Sequence, residues 1–232
     1  MARPLGRRRV VSFGVEVFAG ERYAPEVAGR VAREVPDASS VVLTGGSSAE
    51  KVYGPLGETG VDWSNTDVVF SDERCVPPHD DASNFGMADR LLPRLGRARV
   101  HRMRGEDDPR DAARIYSDRI RPLVDAGLEL MLLGMGADGH ICALFPGSAA
   151  LEEKDRLCAA VDRPDGMRGI TLTPPAILSA HRVLLLVPGE GKAETVARAV
   201  LGDDDHAVLP VRLLAAHPDA TFLVDEAAAS LL

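Results

Sequence analysis

Two hydrophobic periods alternate along this chain. Residues 40–44, 66–70, 128–133 and 182–187 are apolar almost without a break and rich in Val and Leu, the pattern of strands buried on both faces. Residues 9–15, 99–103, 157–161, 170–173 and 220–224 predict further strands. Between them, apolar positions return every three or four residues. Helices are predicted over 21–34, with Val27, Val31 and Val35 on one face, from an N-cap at Ser48 to Leu56, and from a Ser83 cap to Leu92. Others are predicted over 109–125 with Pro109 at the start, from Pro174, from Lys192 to Leu201, and in a short segment at the end of the chain.

Strand–helix alternation of this kind implies an α/β fold: a mainly parallel sheet with helices on both faces, Rossmann-like. No linker, repeat or low-complexity run interrupts it, and Asp203–Asp205 reads as an exposed turn. The expected organisation is a flexible basic tail over residues 1–8 and a single α/β domain over 9–232.

The apolar run at 128–133 breaks into Gly134, Gly136 and Gly139, with Asp138 and His140 set among them. Polar, glycine-rich loops at the carboxyl ends of central strands are where open α/β sheets bind ligands. An imidazole with a pKa near about 6.5 takes a proton from water at neutral pH. The plain alternative is an Asp capping a short helix beside a His in a polar pocket; the flanking glycines, which leave the ring uncovered, favour function. Gly134-Met135-Gly136-Ala137-Asp138-Gly139 also fits G-x-G-x-x-G. It lies mid-chain, meets Pro146 before a long helix can run, and lacks a placed ribose-binding acid, so a dinucleotide site is not expected.

Gly45-Gly46-Ser47-Ser48 joins a strand to a helix and offers backbone N–H groups and a helix N-terminus to an anion. Asp72-Glu73-Arg74 stands at the carboxyl end of another strand, on the same rim. Surface ion pairing would explain that cluster without function; its position favours a site. Gly189-Glu190-Gly191-Lys192 lacks the upstream Gly and the Ser/Thr of a nucleotide P-loop, yet its lysine can hold a phosphate as a point charge. Ser48-Ala49-Glu50-Lys51 fits S-x-x-K without a K-T-G partner, and Gly45-Gly46-Ser47 lacks the second glycine of a nucleophile elbow. Cys142, among Ile141, Ala143 and Leu144, reads as a packed thiol rather than a nucleophile.

Bulk properties narrow the choice. With 45% hydrophobic and 27% charged residues the chain is of ordinary globular composition. Its longest apolar runs fall short of the roughly 18 residues of a membrane helix. The start of the chain is too short and polar for a signal sequence, so a cytoplasmic protein is expected. Three widely spaced cysteines, Cys75, Cys142 and Cys158, suggest neither disulfides nor zinc. A net charge of −8 argues against nucleic-acid binding but not against a small anion held by local cations.

Five motifs in order, spanning residues 43–192, resemble those of the 6-phosphogluconolactonases. They are Leu43-Thr44-Gly45-Gly46-Ser47; Ser71-Asp72-Glu73-Arg74-Cys75-Val76-Pro77 with Ser83-Asn84; Leu133 to His140 continuing through Leu144-Phe145-Pro146-Gly147; Ile170-Thr171-Leu172-Thr173; and Gly189 to Lys192. The resemblance implies a fold related to glucosamine-6-phosphate deaminase and ribose-5-phosphate isomerase, and hydrolysis of a sugar-phosphate lactone without cofactor or metal. It gives His140 the role of general base, Arg74 that of an active-site arginine, and Lys192 with Gly45, Gly46, Ser47 and Ser48 the phosphate side; Asp72 joins the substrate-binding set. Asp138 is expected to orient His140. That family usually carries Arg directly before Ile-Thr-Leu-Thr. Here Gly169 holds that place and Arg168, one residue earlier, is the substrate-side candidate.

The related deaminases carry a Tyr in place of Arg74 and a catalytic Glu in place of Phe145, so a deaminase is the lesser expectation. A non-catalytic sugar-phosphate sensor is the other, and would show binding without turnover. The expected partners are a small sugar-phosphate lactone and neither nucleic acid nor membrane, with the chain a monomer or weak dimer.

Overall fold

The computed structural model describes residues 13–232. The proposed basic tail and the first residues of the strand predicted over 9–15 lie outside that range. Seven strands form one sheet, every pairing in it parallel: β1 (Gly14–Phe18), β2 (Ser40–Leu43), β3 (Asp67–Phe70), β5 (Arg99–His101), β6 (Leu130–Gly134), β9 (Arg182–Val187) and β10 (Ala220–Asp225). Their order across the sheet is β1-β10-β9-β6-β2-β3-β5. A second sheet of three antiparallel strands joins β4 (Asp72–Arg74), β8 (Arg168–Leu172) and β7 (Cys158–Asp162) in that order.

Among the described residues six α-helices connect them: α1 (Tyr23–Glu34), α2 (Gly46–Glu58), α3 (Asn84–Leu91), α4 (Pro109–Ala126), α5 (Pro174–Ile177) and α6 (Ala193–Leu201). Alternation along the strands divides the apolar side chains between two cores. In β9, Leu184 and Leu186 face the core built with Val27 and Val31 of α1 and Val52 and Leu56 of α2. Val183, Leu185 and Val187 face the other, with Ile120 of α4, Ile177 of α5, Val196 of α6, and Ile170 and Leu172 of β8. The mainly parallel sheet covered on both faces is therefore what the hydrophobic pattern implied.

Several local expectations are corrected; the strand predicted over 99–103 stops at His101 and that over 170–173 runs from Arg168 to Leu172. β1 runs to Phe18, three residues beyond the predicted strand, because Gly14–Phe18 pairs in register with Thr221–Asp225. The helix placed at a Ser48 cap starts at Gly46, with Gly45 as its N-cap. The closing segment forms turns rather than a helix. Residues 72–74, read as part of a loop, form β4, held by pairing with 169–171. The Ser83 cap is present as expected, its side chain accepting from the Gly86 N–H at 3.0 Å.

The topology selects the place for a site. From β2 the chain builds outward through β3 to β5, then returns to the sheet centre at β6 and builds the other way through β9 and β10. β2 and β6 are adjacent at this reversal. Loops leaving the carboxyl ends of such a strand pair diverge and leave a crevice between them; here these are the Gly45 and Gly134–Gly139 loops.

Candidate active site

The crevice is lined by the Thr44–Ser48 turn, Asp72, Arg74, Gly134, Gly136, His140, Cys142, Lys192 and Arg163. Its volume is about 210 Å³, below the roughly 300–1,000 Å³ of pockets for drug-sized ligands. A monosaccharide phosphate suits it better than a dinucleotide.

One wall is an anion cradle. Tyr53 of α2 reaches back to the end of β2, where its hydroxyl accepts from the Thr44 N–H at 2.9 Å and donates to the Thr44 carbonyl at 3.0 Å. Burial pushes the Tyr53 hydroxyl up, so it stays protonated and keeps the chain turning at one point. Gly45 must lack a side chain, since a Cβ there would lie 1.7 Å from Asn84 Oδ1. Gly46 has φ +85°, left-handed backbone that favours glycine. The helix α2 opens without a side-chain cap, leaving its first N–H groups for a ligand. Ser48, in that first turn, accepts from Lys192 Nζ at 2.8 Å. Lys192 arrives from the end of β9 through a short 3₁₀ turn, Glu190–Lys192. Burial, with Lys51 adding like charge, lowers its ammonium to about 8.

The second wall is β4, whose three side chains divide the work. Asp72 accepts from Ser71 Oγ at 2.7 Å and from Asn84 Nδ2 at 3.0 Å. Glu73 points away, into the start of α3, where it accepts from Ser83 Oγ and from the Asn84 and Phe85 N–H groups; it also accepts from the N–H of Arg74. Burial raises the Glu73 carboxyl against the pull of those bonds. Arg74 donates through Nη1 to the Ala82 carbonyl and to Asn84 Oδ1, and its Nε is buried with no partner among the described residues. Glu73→Ala would strand four donors beneath Arg74. A loss of about 2–4 kcal/mol in denaturant unfolding is expected, with a raised KM as Arg74 loses its support.

The third wall is the loop after β6. His140 Nδ1 lies 2.6 Å from Asp138 Oδ1, which also accepts from the His140 N–H at 3.2 Å. The carboxylate assigns the ring proton to Nδ1 and leaves Nε2 with its lone pair free. The pair requires Gly136: a Cβ there would sit 2.2 Å from His140 Nδ1 and 2.5 Å from Asp138 Oδ1. The imidazole packs on Phe145, ring centroids 4.6 Å apart. Cys142 is buried, has φ +54° and keeps its proton, burial raising its thiol far above the usual range. Its reading as a packed thiol fits.

The structure thus brings Gly45, Gly46, Ser47, Ser48, Asp72, Arg74, His140 and Lys192 to one crevice, with Asp138 behind His140. Arg168 does not join them. It is exposed and does not line the crevice. Strand periodicity gives the reason: Gly169 shares a face with its cross-strand partner Arg74, so Arg168, one residue off, faces the other way. The crevice instead receives Arg163, which sequence reasoning missed. Preceding Pro164 and two residues from Asp165, it has the signature of an ordinary surface ion pair.

Residues 20–223 match the family described as glucosamine-6-phosphate isomerases/6-phosphogluconolactonase. The chain belongs to this family. A 6-phosphogluconolactonase of Mycobacterium tuberculosis is 34% identical over 249 aligned positions, covering 96% of this chain and 99% of that protein. Among solved structures, a 6-phosphogluconolactonase from Shewanella baltica superposes with a TM-score of 0.81 at 26% identity, covering 93% of this chain and 98% of its own. A monomeric glucosamine-6-phosphate deaminase superposes with a TM-score of 0.82 at 24% identity, covering 95% and 100%. The second likeness shows the fold shared with glucosamine-6-phosphate deaminase.

Proposed function

We infer that this protein is a 6-phosphogluconolactonase, hydrolysing 6-phospho-D-glucono-1,5-lactone to 6-phosphogluconate in the oxidative pentose phosphate pathway. The observation that carries this reading is the Asp138-held imidazole of His140 facing, across one small crevice, the cations and open helix end of the phosphate cradle. The family holds isomerases as well as lactonases, and Phe145 separates them here. An apolar ring against His140 offers no second proton-transfer group of the kind an isomerising deaminase needs.

In the proposed mechanism Lys192, Arg74 and the Gly45–Ser48 turn bind the phosphate, which spends remote binding energy on placing the lactone carbonyl near His140. His140 Nε2 takes a proton from water as its oxygen bonds to the carbonyl carbon. Donors lining the crevice steady the oxyanion that forms. Collapse of the tetrahedral intermediate breaks the ring C–O bond, and the imidazolium returns its proton to the departing ring oxygen. The products are a hydroxyl and a carboxylic acid, which ionises in water. Asp138 holds the imidazole in the needed tautomer and stabilises its charged form.

The test is hydrolysis of freshly made lactone, with excess 6-phosphogluconate dehydrogenase reporting product as NADPH and the spontaneous rate subtracted. Acceleration well above background is expected. Tight 6-phosphogluconate binding without acceleration would reject the enzyme in favour of a sensor. Asp138→Asn should lower kcat by about one to two orders of magnitude, less than loss of the imidazole itself, with KM nearly unchanged. An unaltered kcat would remove Asp138 from the mechanism.

A further inference from the structure

Arg163 stands where β7 turns toward β8, and its side chain is only 10% exposed although it lines the open crevice. Its guanidinium carbon lies 5.4 Å from the centre of the Phe145 ring, the ring that packs on His140. Nε and Nη2 both bind Asp165 Oδ2, at 3.1 and 3.0 Å. The bond from Arg163, with the Met167 N–H and, more distantly, the Arg74 charge, pulls the Asp165 carboxyl below its usual range, and Arg163 and Arg74 both line the crevice. The stem of Arg163 occupies a specific gap. A Cβ at Gly169 would meet the Glu73 carbonyl oxygen at 3.1 Å, Arg163 Cδ at 3.3 Å and Cγ at 3.6 Å, and Gly169 pairs with Arg74 on the adjacent strand. The missing side chain at 169 leaves, beside Arg74, the channel through which Arg163 reaches the crevice.

We propose that Arg163 is a second substrate-contacting guanidinium of this site, gripping the anionic end of the sugar phosphate together with Arg74, and that Gly169 is the vacancy that admits it. This rests on the sugar-phosphate reading of the crevice and deepens it. Stacking on Phe145 holds the planar group while Nη1, which the Asp165 bond does not use, is available to a ligand oxygen. The partial neutralisation by Asp165 lowers the cost of keeping a second cation close to Arg74 before the ligand arrives.

The experiment compares the unaltered protein with Arg163→Ala, Arg163→Lys and the double variant Arg163→Ala/Gly169→Arg. Lactone kinetics are measured alongside calorimetric binding of 6-phosphogluconate. Arg163→Ala should raise KM and the product Kd by about ten- to a hundredfold, with kcat within about threefold. Arg163→Lys, which keeps the stem and the charge but not the fork, should fall between; it also decides the matter should the alanine variant not fold. The double variant, sending a guanidinium down the same channel from position 169, should recover most of the affinity. KM and Kd within about twofold of the unaltered protein in both single variants would overturn the proposal, and a double variant as weak as Arg163→Ala would reject the exchange with position 169. If the unaltered protein binds 6-phosphogluconate without turning over lactone, the lactonase reading fails, and the calorimetric comparison still judges Arg163 on its own.

Discussion

Replacing His140 by alanine is expected to lower kcat by about two to four orders of magnitude, the usual worth of a positioned general base. Affinity for 6-phosphogluconate should stay within about threefold, because the phosphate is held by other walls of the crevice. The contrast matters more than either number. A group that acts only as bonds form lowers kcat and kcat/KM together and leaves ground-state binding alone. The structure makes this a clean substitution. His140 is partly exposed and contributes little to the two cores, so a folded, binding-competent variant is expected. A kcat within about threefold of the unaltered enzyme would remove His140 from the reaction.

Loss of Lys192 should act on the opposite term. Lys192→Ala removes a half-buried ammonium from the cradle and leaves Ser48 Oγ without its donor. KM is expected to rise by about ten- to a hundredfold with little change in kcat. The same lysine predicts a pH dependence. Its pKa in the free protein is lowered to about 8. Anion binding favours the protonated form, so affinity should be full below that value and weaken as pH rises through it. A phosphate monoester, with its second pKa near about 6, stays dianionic across that range. Calorimetry of 6-phosphogluconate between about pH 7 and 9.5 separates this effect from the spontaneous opening of the lactone. Affinity constant across the window, or a purely kcat effect in Lys192→Ala, would contradict the anchoring role.

Much of this architecture can be read in the chain because buried parallel strands leave a strong mark. Val41 to Leu43, Val68 to Phe70, Leu130 to Leu133 and Leu184 to Leu186 are apolar on both faces because the sheet is covered on both. The glycine-rich turns are legible for a related reason. Gly45 and Gly136 are each required by a close neighbour, and such positions tolerate nothing else. The antiparallel sheet left no comparable signal. A three-residue strand of Asp, Glu and Arg has poor strand propensity, and β4 exists only because residues 169–171, a hundred positions away, pair with it. Missing that pairing hid which face of β8 looks into the crevice. The sequence therefore points to Arg168 and passes over Arg163, a turn residue. Side-chain direction in a strand is settled by register, and register is a long-range property.

Asn84 has a consequence for how this site can change over evolutionary time. Its amide donates to Asp72, its carbonyl accepts from Arg74, and its bulk stands where any side chain at position 45 would have to grow. An alteration to the cradle at Gly45 would displace Asn84 and release Arg74 and Asp72 in the same step. Mutations at these positions should show strong epistasis: singly deleterious, and viable only in combinations that rebuild the contact as a whole. A new ligand preference would be reached more readily from Phe145, whose ring meets His140 and Arg163 by stacking alone.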